Sequence, residues 1–314
     1  MSKKCLYCYL EVEDNQDFHK DCAKTFFGNS TPPKIEYSLN QMNELANQVI
    51  KQSITVPGVQ PKLSMSSIFD QSNQHTSRLT VVGALGGNYI LKPPTERFPQ
   101  MIENEHVSMR IAESFGIKVV PSSLIRLSSG ELCYITKRID RTESGQKKHM
   151  IDMFQATEAF DKYRSSLEKV GKAIGKYSSN TLLDKLFFFD LVLFSFLIGN
   201  NDMHLKNFSM IESKSGWILA PAYDLLNVSI ILPEDKEELA LTLSGKKKKI
   251  KLDHFEQLGV DLKLTPKQIK STFNRMIKNK PKAKTWIERS FLSNELKESY
   301  VKLIDERYRR LSLS

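Results

Sequence analysis

The apolar positions of this chain change their spacing about half way along. From 39 to 52 they recur at helical intervals, with Met42, Leu45, Ala46 and Val49 on one stripe, which predicts a helix. Pro57, Gly58 and Pro61 then stop any helix, and 59–68 reads as a strand. An alternating run from 79 to 92, interrupted by Gly83, Gly86 and Gly87, predicts a β-hairpin of 79–82 with 88–92. Val107, Ile111 and Phe115 mark an amphipathic helix that begins at Met101 and ends at Gly116. Two more strands are predicted at 119–126 and 131–137, joined by Ser128-Ser129-Gly130. Beyond them the spacing is helical: about 151–162, 165–175 and 180–199. Helices close the chain at 263–280, capped by Thr265-Pro266, and at 292–311, capped by Ser293-Asn294. Strands first and helices second is an α+β order. The expectation is a two-lobed fold with a β-rich N-terminal lobe at 31–140 and an all-helical C-terminal lobe at 141–314, preceded by a small Cys/His segment at 1–30.

The most apolar stretch, 186–198, is broken by Gly199-Asn200-Asn201-Asp202-Met203-His204-Leu205-Lys206-Asn207. Asp202 and Asn207 have the D-x-x-x-x-N spacing of a kinase catalytic loop, in which the carboxylate faces the attacking hydroxyl and the amide oxygen faces Mg²⁺. A short loop at a rigid helix end holds both groups close together. Asp224 follows 17 residues after Asn207, beyond the apolar run Trp217-Ile218-Leu219, and offers a second metal-binding carboxylate. The plain alternative is a turn aspartate and a capping asparagine. Lys92 ends an apolar strand, where a kinase places its phosphate-binding ammonium, and Glu105, or alternatively Glu103, lies on the next predicted helix to pair with it. Either acid could equally be a solvated first-turn residue favoured by the helix dipole. The turn at 56–62 could lay backbone N–H groups on phosphates, or be an ordinary loop.

Cys5-x-x-Cys8 followed by His19-x-x-Cys22 supplies three thiols and an imidazole. That set suits a tetrahedral structural Zn²⁺ with no open position; a metal-free knuckle of buried cysteines is the competing reading. Cys133 sits in an apolar strand and reads as core. At 314 residues the chain is near the size at which cores divide, and 40% hydrophobic with 26% charged residues is an ordinary globular composition. Part of the net charge of +10 is local, at Lys246-Lys247-Lys248-Lys249 and Lys251, a solvated loop in the first instance. No nucleic-acid-binding motif accompanies it, so direct nucleic-acid binding is not expected. The 186–198 run is too short to span a bilayer, no secretory h-region opens the chain, and four cysteines make no disulfide scaffold. The cytoplasm is the expected compartment, with no membrane association.

Taken in order, Val56-Pro57-Gly58-Val59-Gln60-Pro61-Lys62-Leu63, Tyr89-Ile90-Leu91-Lys92-Pro93, Glu103-Asn104-Glu105, Lys137-Arg138-Ile139-Asp140-Arg141, Gly199 to Phe208 and Pro221-Ala222-Tyr223-Asp224 resemble the motifs of the HipA-like serine/threonine kinases, toxins of bacterial type II toxin–antitoxin systems. The resemblance implies a HipA-type two-lobed kinase fold with ATP between the lobes. It implies Asp202 as catalytic base, Asn207 and Asp224 as Mg²⁺ ligands, Lys92 and the 56–62 backbone on the phosphates, and 137–140 at the adenine, with His204 also in the site. It implies autophosphorylation on Ser53 or Thr55 that ejects the phosphate loop and switches the kinase off. It further implies a protein substrate such as an aminoacyl-tRNA synthetase, and HipS-like and HipB-like antitoxin partners, the latter DNA-binding. The chain is similar to the shorter, HipT-like members that lack the N-terminal domain of HipA; those carry Ser-Ile-Ser where Ser53-Ile54-Thr55 stands here. Asp202-x-His204-x-x-Asn207 is also similar to the phosphoinositide-kinase loop, so a lipid or small-molecule kinase is the alternative, and a non-catalytic ATP-binding module is a third.

Overall fold

Six short strands form the first sheet of the computed structural model, which describes residues 3–52, 61–69, 77–82, 86–142 and 144–313. The chain divides into two units: Met1–His106 with Val120–Lys147 and Arg289–Phe291, and Val107–Val119 with Lys148–Glu288 and Leu292–Ser314. The first unit runs α1 (Lys20–Phe27), β1 (Lys34–Ile35), α2 (Leu39–Gln52), β2 (Leu63–Phe69), β3 (Ser77–Val81), β4 (Tyr89–Lys92), the start of α3 (Met101–Ser114), β5 (Ser122–Arg126) and β6 (Leu132–Lys137). Its sheet order is β1-β3-β2-β4-β6-β5. Phe26 of α1 and Met42 and Ala46 of α2 bury their apolar faces with Leu63, Leu79 and Leu91 of the sheet, as the 3.6-residue stripe of α2 requires.

The hairpin expected from 79 to 92 does not form. β2 lies between β3 and β4 and pairs antiparallel with both, so Met65 faces Val81 on one side and Tyr89 on the other. Alternation along a strand shows which residues face a core, but not which strand lies alongside. The register that forms sets Leu63 against Leu91 and Ser67 against Leu79. Gly87 permits it: φ is +78°, and a Cβ there would sit 2.5 Å from the Met65 carbonyl oxygen, so a side-chain-bearing residue would push β4 off β2.

The second unit holds the rest of α3, then β7 (Met150–Asp152), α4 (Met153–Ala156), α5 (Leu167–Tyr177), α6 (Thr181–Leu197), a 3₁₀ turn (Leu205–Asn207), β8 (Ser209–Ser213), β9 (Gly216–Leu219), α7 (Val228–Ile231), α8 (Leu252–Asp261), α9 (Pro266–Arg289) and α10 (Asn294–Arg310). It is not all-helical: β7, β8 and β9 form an antiparallel sheet. The helix expected at 151–162 is a strand followed by one helical turn, because Asp152 ends β7 as a capping-box residue, its carboxylate accepting from Gln155 N. α6 is apolar nearly all round and is buried accordingly. Its phenylalanines meet Phe208, Phe255 and Phe273 edge to face, with centroids 5.3–6.1 Å apart. No helix among the described residues is long and apolar enough to cross a membrane.

Candidate active site

The polar loop begins where α6 can no longer continue. Gly199 takes φ +75°, and a Cβ there would meet Asn227 Oδ1 at 2.7 Å and Leu303 Cδ2 at 2.8 Å. The turn is therefore open to glycine and closed to other residues. After it, Asn200 Oδ1 accepts from Asp202 N at 3.3 Å. Asn201 Nδ2 donates to Asp235 Oδ2 at 3.1 Å and to Glu237 O at 2.9 Å, which anchors the loop from its far side. The Asp202 carbonyl then collects two donors, His204 N at 2.8 Å and Asn207 Nδ2 at 2.9 Å. Asp202 and Asn207, five positions apart in sequence, are thus tied to each other directly. Donation through Nδ2 leaves the amide oxygen of Asn207, the atom that can ligate a hard cation, out of this bond.

A hairpin brings Asp224 back to the same turn. β8 starts two residues after Asn207, and its antiparallel pairing with β9 (Met210 with Leu219, Ser213 with Gly216) sends the chain past Leu219 back along it. The return is fixed at three further points: Ala220 N donates to Ser209 O at 2.8 Å, Ala222 N to Lys118 O at 2.8 Å, and Tyr223 OH to Lys206 O at 2.9 Å. Asp224 itself is left-handed, with φ +54°. Aspartate tolerates that region better than most residues, and such conformations gather at functional sites. Asn207 ends the 3₁₀ turn and Asp224 lies five residues past β9; an amide oxygen and a carboxylate are donor types that Mg²⁺ takes.

One residue beside this turn was not picked out by sequence reasoning. Tyr163 donates its phenol to Asp202 Oδ1 at 2.9 Å, and its ring stands edge-on to His204 with centroids 5.1 Å apart. Burial raises the Tyr163 phenol and the Asp202 carboxylate raises it further, so it stays a donor. Burial lowers His204, which is neutral at pH 7. Nothing in Asp161-Lys162-Tyr163-Arg164 announces this role, because the contact spans 39 positions. Lys206 is likewise committed: its ammonium meets Asp152 Oδ2 at 2.7 Å and lies over the Phe154 ring at 5.2 Å.

The first unit contains the second group of predicted residues. Lys92, at the end of β4, is 4% exposed and gives its ammonium to both Glu105 oxygens, at 2.6 and 2.8 Å. Of the two acids weighed for this pairing, Glu105 takes it. Burial instead raises the Glu103 carboxyl above its usual range. The Tyr134 ring lies 5.2 Å from the same ammonium. Past β6, Asp140 is gripped by Arg138 at 3.0 and 2.7 Å and by Arg141 at 2.6 Å. Burial pushes the Asp140 carboxyl up, but the two guanidinium groups outweigh it and hold it below the usual range. Arg138 also reaches Ser64 Oγ at 3.2 Å and Gly86 O at 3.0 Å, so Asp140 serves the geometry of this segment. Lys137 directs its ammonium over Phe26 at 5.7 Å, and Ile139 is half-buried. Lys62 is exposed. Val56, Gly58, Val59, Gln60, Ser53 and Thr55 lie outside the described residues.

The four residues of the N-terminal segment also come together. One ligand atom from each of Cys5, Cys8, His19 and Cys22 lies within 4.8 Å of all the others. His19 Nδ1 is 3.4 Å from Cys8 Sγ and 3.7 Å from Cys22 Sγ. A hydrogen bond from Cys8 holds the Cys5 thiol down at about 4 and pushes Cys8 up. Cys133 lies apart, buried in β6, and burial raises it.

Residues 54–284 match the family model described as the HipA-like C-terminal domain. A Haemophilus influenzae protein named as a putative kinase is 31% identical over 214 residues, covering 63% of this chain and 59% of its own. The serine/threonine-protein kinase toxin HipA of Shewanella oneidensis is 25% identical over 215 residues, covering 62% and 47%. The chain therefore spans about half to three fifths of the length of these relatives. Among solved structures, the Shewanella oneidensis HipA, determined with HipB and operator DNA, superposes with a TM-score of 0.68 at 20% identity, over 88% of this chain and 72% of that one; at that identity the likeness establishes the fold. With the family model matched over most of its length, this chain belongs to the HipA-like C-terminal domain family and has its α+β kinase-like fold.

Proposed function

We propose that the chain is an ATP- and Mg²⁺-dependent protein serine/threonine kinase, the toxin of a HipA/HipT-type toxin–antitoxin system. The observation that carries this reading is the turn in which Asn207 is bonded to Asp202, with the chain after the β8–β9 hairpin tied back to that turn by Tyr223 OH, one residue before Asp224, donating to Lys206 O. Asp202 accepts the proton of the attacking hydroxyl. Asn207 and Asp224 would hold Mg²⁺, which when bound neutralises phosphate charge. Lys92, oriented by Glu105, binds phosphate oxygens. The 56–62 backbone cradles phosphates, 137–140 borders the adenine, and His204, neutral and buried, packs the loop from within.

By the same reading, autophosphorylation falls on Ser53 or Thr55 and silences the enzyme. A phosphate adds about 1.5 to 2 negative charges next to an anion-binding loop. The substrate is a translation factor such as an aminoacyl-tRNA synthetase. The partners are a small HipS-like antitoxin and a HipB-like DNA-binding one; the HipB and operator DNA solved with the Shewanella relative support the second.

The test is the intact mass of the purified protein before and after incubation with Mg²⁺ and ATP, with Asp202→Ala alongside. One or two added phosphates, mapped to Ser53 or Thr55 and absent from the variant, are expected. No gain from an initially unphosphorylated protein that nevertheless binds ATP would overturn the protein-kinase reading in favour of a small-molecule kinase or a binding module.

A further inference from the structure

We propose that Cys5, Cys8, His19 and Cys22 bind one Zn²⁺, and that this metal, through Tyr9, fixes the helix that presents Glu105 to Lys92. The role given to Lys92 rests on the kinase reading; the metal site does not. Bond lengths of about 2.3 Å to sulfur and 2.05 Å to nitrogen in a tetrahedron place sulfur and nitrogen about 3.6 Å apart. The two distances from His19 Nδ1, 3.4 and 3.7 Å, bracket that value. The tautomer is also set. His19 Nε2 donates to Glu11 O at 2.8 Å, which leaves the Nδ1 lone pair facing the sulfurs, the outer hydrogen bond expected of a metal-ligating imidazole.

Outside the cluster the segment is held by packing and backbone bonds: Phe26 joins the sheet core, and Leu124 N donates to Leu6 O at 3.2 Å. α1 is eight residues long and its N-cap, His19, makes no side-chain capping bond; a helix that short is marginal by itself. The first dyad is a tight turn, with Tyr9 N on Cys5 O at 3.0 Å and Cys5 N on Leu10 O at 2.8 Å. Tyr9 emerges from that turn with φ +64°, a costly conformation for a bulky residue that the surroundings must enforce.

What the turn presents is informative. Tyr9 is 2% exposed, and its hydroxyl lies 2.6 Å from His106 Nδ1. Its ring stands edge-on to His106 and to Phe291, with centroids 5.3 and 5.4 Å away. His106 is the neighbour of Glu105 on α3, and its ring packs at 6.4 Å on Tyr134, the aromatic face beneath the Lys92 ammonium. The cysteine turn is therefore joined to the Lys92–Glu105 pair by one hydrogen bond and two ring contacts, all within the first unit.

The full chain, purified without chelator, is expected to carry one zinc per molecule by elemental mass spectrometry, and Cys8→Ser with Cys22→Ser to carry none. Less than a tenth of a zinc after equilibration with ZnCl₂ overturns the site. Because the cysteine variants can lose their fold, Tyr9→Phe tests the coupling. It keeps every proposed ligand and is expected to retain its zinc, while amides of 101–108 exchange about tenfold faster, the effect of one lost buried hydrogen bond. Full zinc with unchanged exchange overturns the link to α3. Neither readout involves nucleotide. A wild-type protein that holds zinc but binds no ATP therefore fails the kinase reading alone.

Discussion

The two groups of candidate residues are built on opposite principles. Lys92 and Glu105 are almost fully buried and satisfy each other, cation to carboxylate at two points, with an aromatic ring beneath. Asp202 makes its only described side-chain hydrogen bond with a single phenol, and its position is set through its backbone, by donors on its own carbonyl. The first arrangement fixes a charge in place. The second orients a carboxylate while leaving it able to exchange partners. A group that positions a substrate profits from the former; a group that must accept a proton in mid-reaction requires the latter.

The sharpest way to break this comparison is Asp202→Ala. Phosphoryl transfer is expected to fall by about 10² to 10⁴, the usual contribution of a general base, with ATP affinity by calorimetry little changed. A variant that transfers phosphate at the wild-type rate removes Asp202 from that role. Lys92→Met should act mainly on the fold, since it strands a buried carboxylate at a cost of about 3 to 5 kcal/mol, read from denaturant unfolding. The double variant with Glu105→Leu should recover most of that stability without recovering nucleotide affinity. If the single variant is as stable as the wild type, the pair is not the closed unit described. Gly199→Ala should cost about 1 to 3 kcal/mol from strain at a left-handed position, visible as a lower midpoint.

A smaller effect concerns pH. His204 is held neutral by burial, so its folded pKa lies below its unfolded value near 6.5. The unfolded chain then binds the extra proton first, and stability falls as pH drops below about 6.5. His204→Gln should flatten that part of the stability profile; an unchanged slope would assign it to other groups. Smallest of all, Tyr163→Phe removes one donor from Asp202. A shift of several-fold in kcat with KM nearly constant is expected, from the loss of about 1 kcal/mol of hydrogen bonding. A change confined to KM would move Tyr163 from the base to substrate binding.

Much of this was legible in the chain for local reasons. α2 was predicted at its observed ends because its stripe is regular. The caps at Thr265 and Ser293 are as expected, Ser293 Oγ accepting from Leu296 N and Thr265 exchanging bonds with Gln268. The Asp202–Asn207 pair was legible because one turn contains both partners. The two Cys/His dyads were legible because ligand spacing reflects the reach of a short turn. The β2 insertion between β3 and β4, the β7–β8–β9 sheet and Tyr163 were not, and each depends on pairing between distant segments.

The sequence by itself determined the inward stripe and the ends of α2, the caps at Thr265 and Ser293, and which short loops carry acids, amides and thiols. Those follow from periodicity, capping and turn chemistry, all of which act over a few residues. Tertiary structure alone decided that Glu105 rather than Glu103 meets Lys92, that Asp140 is consumed by Arg138 and Arg141, and that Tyr163 sits on Asp202 and Tyr9 on His106. A side chain's partner across tens of residues is chosen by strand register and helix packing, and neither leaves a local mark on the residues it brings together.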